Sequence, residues 1–114
     1  MSRARSGAEV ALTSAAPVFA ALGDPTRLKL VARLCRDGPQ SITHLSEGAA
    51  VTRQAITKHL HALAGAGLVR DRRQGRERIW ELELERLAAA HQCLDQISQQ
   101  WDAAITRLKA LVEE

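Results

Sequence analysis

The sequence predicts a mainly α-helical domain of element order α-α-α-α-β-β-α, with one small β-hairpin. Three observations lead there. Apolar residues recur at helical spacings through most of the chain, whereas residues 68–82 alternate with period two around Gln74-Gly75. The last thirty or so residues hold an unbroken heptad register from Leu87 to Leu111. Hydrophobic residues make up 46% of the 114 but aromatics only 3%, so Leu, Ile, Val and Ala must fill the core of what length suggests is one domain. Aliphatic filling favours packed helices over a β-sandwich, whose strands are richer in aromatic and β-branched residues.

The elements follow in order. Residues 1–12 are expected to form a disordered tail; Met1–Gly7 is basic but leads into no apolar stretch of signal-peptide length. A first helix is expected over Ser14–Leu22, with Ser14 as N-cap and Pro17 in the first turn, where its missing N–H costs nothing. Asp24-Pro25 starts a second helix, pairing a cap acceptor with a residue whose fixed φ suits the first helical position. Leu28, Val31 and Cys35 mark its apolar stripe, widened by Leu30 and Leu34, and Gly38-Pro39 ends it after Asp37. Ser41 opens a short third helix, about 42–48, with Ile42 and Leu45 inward. A tight Gly48-Ala-Ala-Val51 connection follows, and Thr52 caps a fourth helix ending at Gly65. Two helices joined by a short Gly-containing turn form a helix-turn-helix. The hairpin comes next, and its arginine-rich tip makes it a wing, completing a winged helix-turn-helix domain over 13–84.

The closing helix, about Glu85–Val112, carries Leu87, Ala90, Leu94, Ile97, Trp101, Ala104, Leu108 and Leu111 at alternating spacings of three and four. A strict 3.5-residue period calls for a partner helix, and a helix this long has little else in a small chain to pack on. Residues 85–114 are therefore expected to form a dimerisation helix, and the partner is expected to be a second copy of the chain.

Charge is unevenly distributed. The net charge of +3 says little, but residues 53–78 hold seven Arg/Lys against only Asp71 and Glu77, whereas residues 79–114 hold three against seven carboxylates. Concentrated positive charge is the footprint of a polyanion partner. The fourth helix sharpens this. Ile56, Leu60 and Leu63 share one stripe; Arg53, Thr57 and His61 lie opposite, flanked by Gln54 and Lys58, and Val51–Val69 contains no Asp or Glu. An ordinary solvated polar face is the competing reading, but its position after a short helix and turn and before a basic hairpin favours groove recognition. Guanidinium, amide, hydroxyl, ammonium and imidazole groups supply what base edges and phosphates in a major groove require. The expected contacts to double-stranded DNA are Thr52, Arg53, Gln54, Thr57, Lys58 and His61 on the helix, with Arg72, Arg73, Arg76 and Arg78 of the wing on flanking phosphates or in the minor groove.

Four segments in this order resemble the ArsR family of bacterial regulators: Ala21-Leu-Gly-Asp-Pro-Thr-Arg-Leu-Lys-Leu-Val, Val51-Thr-Arg-Gln-Ala-Ile-Thr-Lys-His-Leu, Leu63-Ala-Gly-Ala-Gly-Leu-Val and Gly75-Arg-Glu. The resemblance spans about Pro17 to Trp80. It implies a homodimer that represses from a palindromic operator, with 52–64 as recognition helix, 70–79 as wing, and the first helix, through Phe19, joining the last in the dimer interface. The chain departs from the metal-sensing members: its third helix reads Ile42-Thr-His-Leu-Ser-Glu47 without a Cys-x-Cys pair, and the last helix has a lone His91. Zinc needs several close N or S ligands, so the metal-free branch is expected, no cofactor is called for, and His44 is expected as a surface or cap residue.

Cys35 is expected as a buried structural thiol. Cys93 lies beside the heptad seam, where a two-fold axis could bring it near its mate as a redox switch. Two cysteines make no disulfide framework, and no run of apolar residues is long enough to span a membrane, so a cytoplasmic location is expected. An interaction module on the same scaffold is the alternative function. There is no phosphate-binding loop, dinucleotide fingerprint, HExxH or nucleophile elbow, so no enzyme is expected. Neither an operator sequence nor an effector is legible.

Overall fold

The computed structural model describes residues 7–113. It is built from α1 (Gly7–Leu22), α2 (Pro25–Asp37), β1 (Gln40–Ser41), α3 (Ile42–Ser46), α4 (Arg53–Gly65), β2 (Val69–Gln74), β3 (Glu77–Leu82) and α5 (Leu84–Glu113). The strands form one antiparallel sheet of order β1-β3-β2.

Local chemistry sets the boundaries. The Asp24 carboxylate accepts from the Arg27 N–H at 3.0 Å and Pro25 takes the first helical position. Gly38, at φ 77°, ends α2 by donating its N–H to the Leu34 carbonyl. Ser41 Oγ accepts from His44 N–H at 3.2 Å, and Thr52 Oγ1 from Ala55 N–H at 3.1 Å, so each helix of the helix-turn-helix has its own cap. Past Gly65, the Leu68 N–H reaches the Leu63 carbonyl and the Gly67 N–H the Ala64 carbonyl. That Schellman pairing needs a left-handed residue, and Gly67 supplies it at φ 78°. The wing turns on Gly75-Arg76, and positive φ is confined to Gly75, as a type II′ hairpin loop requires.

The core lies where α1, α2, α4 and the base of the sheet meet, around Val18, Leu34, Leu45, Leu60, Leu63 and Trp80. Arg33 ties α2 to the helix-turn-helix: its guanidinium donates to the carbonyls of His44 at 2.7 Å, Leu45 at 3.3 Å and Glu47 at 3.4 Å. These carbonyls lie at and just past the end of α3, where a helix runs out of intrahelical donors; that of His44 also accepts the Glu47 N–H at 3.2 Å.

Several expectations change. Of the expected tail, residues 1–6 lie outside the described residues, but 7–12 are helical, so Ser14 is inside α1 and Pro17 stands well beyond its first turn. Packing of α1 along α5 holds this helix through its proline, a tertiary override of local preference. On α2 the buried residues are Leu30, Val31 and Leu34, whereas Leu28 is 52% exposed and Cys35 is exposed. Leu28 and Cys35 lie about a quarter turn round from the centre of the buried arc, so Cys35 is not the buried thiol expected. Cys93 is buried instead, together with Ala90, on the part of α5 that meets the rest of the chain. Helix α3 stops at Ser46, because Glu47 is extended and Gly48 takes φ 70°. The two-residue β1 was not expected; Gln40 and Ser41 pair with Trp80 and Ile79.

Candidate nucleic-acid interface

Helix α4 buries Ile56, Leu60 and Leu63 and turns its other side outward. The side chains of Arg53, Gln54 and Lys58 are exposed and form no hydrogen bond or ion pair among the described residues: Gln54 and Lys58 lie across the helix from the buried stripe, and Arg53 stands ahead of that stripe at the N-terminal end. Thr52 is engaged as the N-cap but keeps its hydroxyl proton to donate outward. Thr57, half-buried, donates its hydroxyl to the Arg53 carbonyl at 3.0 Å, which leaves its oxygen lone pairs able to accept. The sequence placed His61 on this face as well. It is exposed there, but its ring meets Trp80 edge-on, with centroids 5.6 Å apart and planes at 84°.

Behind α4, His59 Nδ1 lies 3.8 Å from the Asp24 carboxylate and 3.5 Å from Arg27, whose Nε donates to the Ala21 carbonyl. This cluster joins the end of α1, the start of α2 and the inner side of α4. The Arg27 N–H bonded to Asp24 holds that carboxyl below its usual range, against partial desolvation and with help from His59.

The arginines of the wing differ in what they are bound to. Arg78 pairs with Asp71 at 2.6 Å. Arg72 donates to Gln74 at 2.7 Å and lies 3.6 Å from Glu81. Arg70 pairs with Glu81 at 2.9 Å and Glu83 at 2.8 Å. Arg73 and Arg76 have no such partner among the described residues. The tip therefore presents two uncommitted guanidinium groups above a shaft of paired ones, and the carboxylates that bind the others lie along β2, β3 and just beyond.

The expected dimer seam divides in two. Phe19 and Leu87 pack partly buried against the chain's own core and Ala90 belongs to it, because α1 covers this part of α5. For these three, the partner is in the first instance the chain itself. Further along, Leu94 is 52%, Trp101 67% and Leu111 73% exposed; Ile97 and Leu108 are exposed too, and Ala104 is half-buried.

Sequence reasoning missed Arg33 and the Asp24–Arg27–His59 cluster. Both work through contacts between residues far apart in the chain, which periodicity does not report. His44 is a surface residue 3.8 Å from Glu47, and His91 lies 3.5 Å from Asp95. Among the described residues no three of His, Cys, Asp or Glu gather as a metal site, and no helix is long and apolar enough to cross a membrane.

Known proteins share this arrangement. A helix-turn-helix domain model matches residues 22–72. The HTH-type transcriptional regulator Rv2034 of Mycobacterium tuberculosis is 37% identical over 93 residues, covering 82% of this chain and 83% of its own. An ArsR-like transcriptional regulator from Rhodococcus sp. RHA1 is 36% identical, with TM-score 0.70 over 88% of this chain and 93% of the other. The homodimeric winged helix-turn-helix DNA-binding domain Mb0332 from Mycobacterium bovis shares the fold at 21% identity, with TM-score 0.63 over 88% of this chain and 91% of the other.

Proposed function

This chain belongs to the ArsR family of winged helix-turn-helix transcriptional regulators, and we propose that it is a cytoplasmic repressor that binds a palindromic operator as a homodimer. The observation that carries the reading is the exposed surface of α4: the side chains of Arg53, Gln54 and Lys58 stand without partners among the described residues, in a segment without carboxylates, and the wing tip adds two uncommitted arginines. Buried or paired cations would already be satisfied; these are available to a polyanion. Arg53 can fork onto guanine O6/N7 and Gln54 onto adenine N6/N7, with Thr57 and Lys58 alongside and Thr52 near the backbone. Arg73 and Arg76 hold flanking phosphates, with Arg72 and Arg78 behind them.

The bare stretch of α5 supplies the second half of the reading. Leu94, Ile97, Trp101, Leu108 and Leu111 continue the heptad register past the region that α1 covers. A second copy packed there, with Phe19, Leu87, Ala90 and Ala104 at its margin, would give two α4 helices related by a two-fold axis. Half-sites would then lie about 34 Å apart, in successive major grooves. Nothing in this reading requires a metal or other cofactor.

The test is fluorescence anisotropy of a labelled duplex from upstream of the protein's own gene, at two salt concentrations, with random competitor and with EDTA. Tight binding that resists competitor, survives EDTA and weakens steeply with salt is expected. Binding abolished by random duplex would reduce the interaction to charge attraction. No binding at low salt would favour a protein-interaction role for the same scaffold.

A further inference from the structure

We infer that His61 is a positioning residue: it seats α4 against the root of the wing through Trp80, and it does not read bases. The inference rests on the DNA-binding reading above. Its basis is the edge-to-face contact, centroids 5.6 Å apart and planes at 84°, an arrangement that aromatic quadrupoles favour. Trp80 is 2% exposed and sits on β3, the middle strand, opposite Gln40 of β1 and Asp71 of β2. A side chain against this indole therefore bears on the junction of all three strands.

At its root β3 pairs with β1 and meets α2 and α3, and β2 meets α4, but beyond that the wing has few anchors. Along β2 only Val69 is buried, and along β3 only Trp80. Everything beyond them toward Gly75 is exposed or half-exposed. A DNA duplex must be met at once by the outward side of α4 and by Arg73 and Arg76 at the wing tip, so the angle between helix and hairpin has to be held. The buried stripe of α4 packs into the same core that holds Trp80, and the ring of His61, exposed and off that stripe, adds a second hold on the indole. Position along the helix agrees. His61 is two turns after Arg53, about 12 Å along the axis, whereas base contacts come mainly from the N-terminal turns of a recognition helix.

Two variants test this, His61→Ala and His61→Phe, the second keeping an aromatic ring without a polar edge. In the free protein, hydrogen exchange of wing amides 70–79 should quicken several-fold in His61→Ala, stay unchanged in α2, and return toward wild type in His61→Phe. Against a panel of operator duplexes changed one base pair at a time, His61→Ala should weaken every duplex alike, by about three- to tenfold. His61→Phe should keep the wild-type ranking at every position. A changed ranking at one base pair in His61→Phe would make His61 a base reader and overturn the inference. Unaltered wing exchange in His61→Ala would overturn it too. A wild-type protein that bound no DNA would sink the DNA-binding reading instead, and the exchange measurement would still decide whether His61 seats the wing.

Discussion

Helix α4 carries two Arg/Lys side chains and the wing five, and the two elements hold them in opposite ways. On α4, the side chains of Arg53, Gln54 and Lys58 have no partner among the described residues, and no carboxylate occurs from residue 51 to residue 69. On the wing, Arg70, Arg72 and Arg78 are bound to Glu81, Glu83 and Asp71, and among the described residues only Arg73 and Arg76 remain uncommitted. The difference follows from secondary structure. A helix spreads neighbouring side chains around its axis, so one polarity can fill a face without self-contact. A hairpin sets side chains directly opposite one another. Arg73 faces Arg78 in the register, like charges across strands repel, and the pairing of Arg78 with Asp71 relieves that repulsion. Charge counted along the sequence therefore overstates what the wing offers a ligand and describes α4 well.

Breaking the α4 side should have the largest effect. Arg53→Ala is expected to lower affinity for the operator by roughly 10- to 100-fold while leaving random duplex nearly unchanged; competition anisotropy reads the ratio. The double variant Arg73→Ala/Arg76→Ala should weaken operator and random duplex alike, and should lower the slope of log affinity against log salt by about 2. If the two variants lost discrimination equally, the division between reading helix and holding wing would be wrong. Thr52→Ala removes the α4 cap and should cost about 1 kcal/mol of stability in urea unfolding, while Thr52→Ser should recover most of it. Arg78→Ala should change DNA affinity by less than about threefold, because an exposed pair is worth under about 1 kcal/mol and its guanidinium is already occupied. A large loss there would mean that DNA pulls Arg78 away from Asp71. The smallest effect concerns acid. The Asp24 carboxyl is held below its ordinary value when folded, so its contribution is complete above the ordinary carboxylate range and fades as pH falls through the lowered folded value. Wild type and Asp24→Asn should differ less in stability at pH 3 than at pH 7.

These contrasts also mark how far the sequence could be read. Helix α4 was legible almost to the residue, since Thr52, the Ile56–Leu60–Leu63 spacing and the nearby glycines are local signals that agree with one another. The hairpin and α5 were legible for the same reason. The pairing of Arg70 with Glu81 was within reach, because the hairpin loop fixes the register and places them opposite. Helix α2 was misphased. Leu28, Val31 and Cys35 make a valid apolar spacing, but the core lies on the side of Leu30 and Leu34, and only the neighbouring elements decide which arc turns inward. The start of α1 was missed because Pro17 reads locally as a first-turn residue, whereas contact with α5 sustains the helix on both sides of it. Strand β1 is two residues long and has no periodicity to detect. On the outward side of α4, residue types and their placement were readable, but the contact of His61 with Trp80 was not, since it joins a helix to a strand nineteen positions on.

The two thiols have a practical consequence. Cys35 is exposed on α2 and Cys93 is buried on α5. A thiol-reactive dye added to the native protein should take Cys35 at once and reach Cys93 only when α5 comes away from its packing. The ratio of singly to doubly labelled chains over time, read by intact mass, is then a clock for that opening. It needs no mutation, and it can be run with and without DNA.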